Sequence, residues 1–210
     1  MKRVVIFVVT LACAVLPVLL WAQGETIHHH RPAVPADSGN QQVTVSGLSI
    51  PDVVLIDQNG KKVHFISDLV RGKVVAINTI FTTCTTICPL MGANFSKLSR
   101  CIPDKSRGKL NLISISIDPL EDTPQRLKQW SSTFGQSGAA WTLLTGAKPD
   151  IDRLLKALQV FTADKQDHAP VVLIGGEGAE TWSRASALLP PAGLAGLIQT
   201  QLASLSITEN

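Results

Sequence analysis

The segment 73–81, KVVAINTIF, constrains the fold of this chain more than any other. It is a nearly continuous apolar run. That is the pattern of a strand buried on both faces, at the centre of a sheet covered by helices. The run leads straight into FTTCTTICP, residues 81–89, where Cys84 and Cys88 stand with three residues between them. Pro89 follows, and residues 89 to about 100 read as a helix with Leu90, Phe95 and Leu98 on its apolar face. Pro89 suits the first helical position, where its missing N–H costs nothing. The two cysteines therefore lie at a strand-to-helix turn.

That position limits their chemistry. A thiolate is the reactive and ligating form of cysteine, and free N–H groups and the dipole of a helix start stabilise it. Cys84 falls in the loop and Cys88 beside the helix start. Three intervening residues allow the sulfurs to approach within disulfide range. The spacing is one residue longer than the redox motif C-x-x-C, which loosens the turn and lets both sulfurs face one soft ion such as Cu(I). From these residues alone a redox-active pair, a metal site, a structural disulfide and an inert buried pair all remain open.

Downstream patterns complete an α/β domain. VVLID (53–57), Gln58-Asn59-Gly60 and a second strand from Lys62 to Phe65 read as an N-terminal β-hairpin, since Asn-Gly favours tight reversal. LNLISISID (110–118) is a second buried strand. Asp122-Thr123-Pro124 opens a helix to Trp130, and WTLLTG (141–146) is a short strand. Residues 148–158 form a helix with Ile151, Leu154, Leu155 and Leu158 on one side. APVVLIGG (169–176) and TWSRAS (181–186) form a second hairpin, and Pro190-Pro191 starts a last helix to about Leu205. Alternating elements of this kind imply a central mixed sheet flanked by helices. A cysteine pair between its buried strand and a helix points to a thioredoxin-like fold.

The N-terminus suggests export. Met1-Lys2-Arg3 precedes an uncharged run from Val4 to Ala22, which reads as a signal peptide cut near Ala22 or as a retained membrane anchor. Residues 23–46 read as a flexible linker, and 47–206 as the folded domain, a suitable length for one core. His28, His29 and His30 lie in the linker, as a solvated tract or an accessory metal-binding one. Lys2 and Arg3 supply two of the three net positive charges. The exported part is close to neutral, which argues against nucleic acid as a partner. Three cysteines outside the leader are too few for a disulfide scaffold. Cys101, just past the first helix, reads as a small buried hydrophobe. Trp130, Trp141 and Trp182 read as core or rim packing.

A metal site with two thiolates needs a third ligand. His168 is the best candidate: it ends the polar loop DKQDH (164–168) directly before the strand expected to run beside the cysteine-bearing one. Asp167 is placed to orient its imidazole. His64 reads as a hairpin residue with no metal role.

At this point the chain resembles the Sco (SenC) family of thioredoxin-fold copper proteins over about residues 50–190. The resemblance rests on FTTCTTICP, ISIDPLEDTPQRLKQW (115–130), LTG (144–146) and DHAPVVLI (167–174). It implies copper, as Cu(I) or Cu(II), bound by Cys84, Cys88 and His168, and a part in maturing the binuclear copper centre of cytochrome c oxidase outside the cytoplasmic membrane. The implied partners are the copper-bearing oxidase subunit or another copper protein, with a thioredoxin-like reductant. Asp118 and Pro119 would shape a loop near the site without ligating. The alternatives are a metal-independent periplasmic thiol–disulfide oxidoreductase and a copper or redox sensor. The chain departs from the family at Thr82, where an aromatic residue or glycine is usual. It departs also at Thr85-Thr86-Ile87, where Pro-Asp is usual, and at Ala169, where a hydroxyl residue follows the histidine. Its segment between Val160 and His168 is short.

Overall fold

The computed structural model describes residues 42–135, 141–177, 179 and 181–208. The leader, the three consecutive histidines and most of the expected linker lie outside the described residues.

The domain is built on one eight-stranded mixed sheet. In chain order the strands are β1 (Val43–Ser46), β2 (Val54–Asp57), β3 (Lys62–His64), β4 (Val74–Ile80), β5 (Leu110–Ser116), β6 (Trp141–Thr145), β7 (Val171–Gly176) and β8 (Thr181–Ser186). Four α-helices accompany them: α1 (Ile87–Cys101), α2 (Pro124–Ser132), α3 (Lys148–Ala157) and α4 (Pro191–Thr208). The spatial order is β1-β8-β7-β4-β5-β6-β2-β3. β4 runs parallel to β5, and β5 to β6, while β7 is antiparallel to β4.

β4 and β5 occupy the centre because all seven residues of each are buried. Their side chains alternate between two cores. Val74, Ala76 and Ile80 join α1, α2 and α4 on one face, with Phe95, Leu98, Leu127 and Leu194. Val75 and Ile77 join α3, with Ile151, Leu154 and Leu155, on the other. Each fully buried aliphatic side chain contributes roughly 1.5–3 kcal/mol, so this double burial pins the strand that carries the site. The β2–β3 hairpin extends the sheet beyond β6. Its turn is set by the Asp57 carboxylate, which accepts from the N–H groups of Asn59 (2.8 Å) and Lys61 (2.9 Å), and by Gly60 at φ 81°.

Four expectations change. The linker ends earlier than residue 46, because Val43–Ser46 forms an edge strand on β8, with Val45 opposite Trp182. Helix α1 starts two residues before Pro89, with Thr86 at its N-cap, so Cys88 is its second residue and Pro89 its third. Proline is tolerated there because N–H groups of the first turn have no partner within the helix. The buried face of α1 is Cys88, Met91, Gly92, Phe95, Ser96, Leu98 and Ser99. Leu90 falls opposite that stripe and is 57% exposed. Cys101 falls off it as well and is exposed rather than buried.

Trp130, Trp141, Phe95 and Phe134 form an aromatic cluster, and Trp182 is buried against Gly175. These tryptophans pack the core and its rim.

Candidate metal centre

The site lies at one end of the sheet, where β4 and β5 finish and the antiparallel β7 begins. Register brings the pieces together: Ile80 pairs with Ser116, and Asn78 with Val172. The chain leaves β4 through Phe81, whose carbonyl accepts the Cys84 N–H at 3.2 Å. This tight turn delivers Cys84 to the start of α1.

Thr86 makes no side-chain cap of α1. The Cys84 sulfur accepts the Cys88 N–H at 3.4 Å, so it satisfies one of the donors the helix start leaves open. The Thr86 hydroxyl stands 3.6 Å from the same sulfur. Burial alone pushes the Cys84 thiol up. The backbone N–H groups of Cys88 and Thr86 and the Thr86 hydroxyl outweigh burial and bring it down to about 7. Cys88 behaves in the opposite way. Burial pushes its thiol up to about 12; the Phe81 backbone opposes this, and Cys84 and the Asp122 carboxylate reinforce it. At neutral pH Cys84 is therefore about half thiolate, while Cys88 stays a thiol. Both cysteines are free.

The structure brings His168 to Cys88. Its Nε2 is 3.4 Å from the Cys88 sulfur, across eighty residues of sequence, and the residue is 6% exposed. Its Nδ1 is 3.0 Å from the Lys165 carbonyl, which can only accept. Nδ1 therefore carries the proton, and Nε2 keeps its lone pair toward the cysteines. Burial depresses the imidazole's basicity, partly offset by that carbonyl, so the ring is neutral at pH 7 and can ligate. The Phe81 ring meets it edge-on at 5.3 Å between centroids.

Asp167 does not orient the ring. It is exposed, and the carbonyl of Lys165 takes the role expected of it. The Asp118 carboxylate is paired with the Lys165 ammonium at 2.6 Å. His64 lies exposed on β3, the edge strand, three strands across from β5.

Sequence reasoning missed Asp122. It reads there as a helix opener, yet it is fully buried. Its carboxylate accepts from the Thr82 N–H (3.1 and 3.2 Å), the Thr82 hydroxyl (2.5 Å) and the Ser116 hydroxyl (2.6 Å). This clamp ties the cysteine loop to the end of β5. Thr82, one of the departures from the family pattern, is thus a structural partner of Asp122. The helix-opening itself belongs to Thr123, whose hydroxyl accepts the Arg126 N–H, with Pro124 next.

The donor set suits a soft ion: one thiolate, one thiol that can lose its proton to a metal, and one neutral imidazole nitrogen. Among the described residues, no group of three or more His, Cys, Asp or Glu side chains stands arranged to hold a metal ion. The sulfur of Cys84 is engaged with the helix start, whereas Cys88 and His168 face each other.

Comparison with known proteins gives one answer. The model of the SCO1/SenC family matches residues 48–180. A Stutzerimonas stutzeri protein described as copper-binding is 33% identical over 122 residues, covering 58% of this chain and 57% of that protein. The SCO1 homologue of Bacillus subtilis is 36% identical over 108 residues, covering 51% and 53%. The chain thus spans little more than half the length of the curated relatives it matches. Among solved structures, a SCO1/SenC family lipoprotein of Bacillus anthracis aligns with a TM-score of 0.63 at 25% identity, over 73% of this chain and 94% of that one. Copper-bound ScoI of Bradyrhizobium japonicum aligns with a TM-score of 0.60 at 26% identity, over 75% and 99%. The thioredoxin-like sheet agrees with these solved structures, and the family model matches well over half of the chain: the chain belongs to the SCO1/SenC family.

Proposed function

We propose that this protein is a copper-binding assembly factor, with Cys84, Cys88 and His168 as the ligands of Cu(I). Copper is its cargo. The observation that carries the reading is the imidazole: buried, neutral, and fixed so that Nε2 faces the Cys88 sulfur at 3.4 Å. Thiol exchange needs no such group, and two thiolates with one imidazole suit Cu(I). Loading draws the Cys84 sulfur away from the helix start toward the other two. It also requires both cysteines reduced, so copper and a disulfide exclude one another. The recipient, by family, is the binuclear copper site of cytochrome c oxidase, reached outside the cytoplasmic membrane. Residues 1–22 either anchor the protein there or are cut away.

The asymmetry of the two thiols favours a second reading, reduction of a target's disulfide. The Cys84 thiolate attacks one sulfur of that disulfide and expels the other as a thiolate. Cys88, its proton passing to the thiolate expelled from the target, then attacks the Cys84 sulfur. A Cys84–Cys88 disulfide forms and the target leaves with two reduced sulfurs, so two electrons have passed to it. A thioredoxin-like reductant would reset the pair.

Titration of the reduced protein with Cu(I) against a competing chelator separates the readings. One equivalent bound, and severe weakening in Cys84→Ser, Cys88→Ser and His168→Ala, supports copper. Undiminished affinity in His168→Ala removes that ligand. No binding, together with rapid metal-free reduction of a disulfide substrate, establishes the exchange reading instead. Loss of oxidase activity in a deletion strain would identify the recipient.

A further inference from the structure

The imidazole that completes the site sits on a short segment. Between the end of α3 and β7 the chain makes a single 3-10 turn, Lys165–Asp167. Asp164 builds it: its carboxylate accepts the Gln166 N–H at 2.9 Å, and its carbonyl accepts the Thr162 hydroxyl at 2.8 Å. Gln166 and Asp167 are exposed. Lys165 alone of the three turns back over the site. Its ammonium bridges Asp118 at 2.6 Å and lies 5.4 Å from the centre of the Phe81 ring. Its carbonyl accepts from His168 Nδ1.

Asp118 is a firm anchor. Its N–H donates to the Ser116 hydroxyl oxygen at 3.1 Å, and its carbonyl accepts the Asp122 N–H at 2.9 Å. Its side chain is 14% exposed, so the bridge is screened less than an ordinary surface pair. Ser116 in turn donates to the Asp122 carboxylate, which holds Thr82, two residues from Cys84. One polar chain, Thr82–Asp122–Ser116–Asp118–Lys165, thus joins the loop of the first sulfur ligand to the turn of the nitrogen ligand.

We infer that Lys165 is a positioning residue: its bridge to Asp118 docks the turn onto the β5–α2 loop and holds His168 Nε2 toward Cys88. The inference rests on the copper reading for its consequence, but its structural content can be tested without metal. Nothing in the composition of DKQDH distinguishes this lysine from a solvated one; the juxtaposition with Asp118 does.

Two measurements on the reduced full chain test it. In the metal-free protein, NMR of the His168 ring should show the Nδ1–H tautomer and cross-relaxation with the Phe81 ring. Lys165→Met, which keeps an unbranched stem without the charge, should abolish the cross-relaxation; Lys165→Arg should retain it. With Cu(I), Lys165→Met should weaken binding roughly fivefold, the loss expected when the competent arrangement is only fractionally populated. In a His168→Ala background the same change should do nothing. Unchanged ring signals in Lys165→Met, or equal weakening in both backgrounds, would overturn the inference. If the native protein takes no copper the copper reading fails, and the ring signals still decide the role of Lys165.

Discussion

The unequal thiols make the sharpest prediction. With its thiol near 7, Cys84 is half thiolate at neutral pH. An ordinary cysteine near 8.5 is only about 3% thiolate at pH 7, roughly a sixteenfold disadvantage. A thiolate of lower pKa is also a poorer nucleophile, with a Brønsted slope of about 0.4–0.5, which takes back roughly fivefold. The net expectation is an alkylation rate about threefold above that of a free cysteine at pH 7. The position of the inflexion is more diagnostic than the rate: half-maximal near pH 7 and level above pH 8. Cys88, held near 12, should stay unlabelled throughout, with about one thiolate in a thousand at pH 9. Iodoacetamide labelling of the reduced protein from pH 5 to 9, with peptide mass spectrometry to separate Cys84, Cys88 and Cys101, reads all of this. Thr86→Val should move the Cys84 inflexion upward. The sign for metal follows: protons compete for Cys84 as pH falls through about 7, so Cu(I) affinity weakens there. A Cys84 inflexion at 8.5 or above, or Cys88 labelled as fast as Cys84, would refute the hydrogen-bonding account of the pair.

Two other predictions concern the scaffold. A Cβ at Gly175 would overlap the buried Trp182 indole, so Gly175→Ala should cost about 1–3 kcal/mol and lower the melting temperature by several degrees. An unchanged melting curve would mean that the indole moves aside freely. Asp122→Ala leaves the buried Ser116 hydroxyl and the half-buried Thr82 donors without their acceptor and should cost at least about 2 kcal/mol in urea denaturation. A midpoint equal to the native one would show that the clamp is not what holds the cysteine loop.

Much of this was legible in the residues, and the gaps have physical reasons. The double burial of β4, the hairpin at Asn59-Gly60 and the placement of Cys84 and Cys88 at a strand–helix turn follow from period and turn chemistry. His168 could be found because a metal site with two thiolates needs a third donor. The edge strand Val43–Ser46 escaped because four residues, mostly exposed, carry too short a period to read. The start of α1 slipped by two residues because any position of the first turn accepts proline. Leu90 was misplaced because five residues, about 140° of helix, separate it from Phe95, and Cys101 because the usual burial of cysteine was read without its place off the buried stripe. Asp122 and Lys165 were invisible, since their roles arise from partners 40 and 47 residues away in sequence. No local pattern marks a carboxylate that the fold will bury.

The central claim is that two sulfurs and one imidazole of this chain hold copper together. X-ray absorption of the reduced protein loaded with one equivalent of Cu(I) tests it most directly. The account predicts two sulfur scatterers and one imidazole nitrogen in the native protein, with the imidazole signature absent in His168→Ala. Two sulfurs alone in the native protein, or an identical spectrum in His168→Ala, would contradict it.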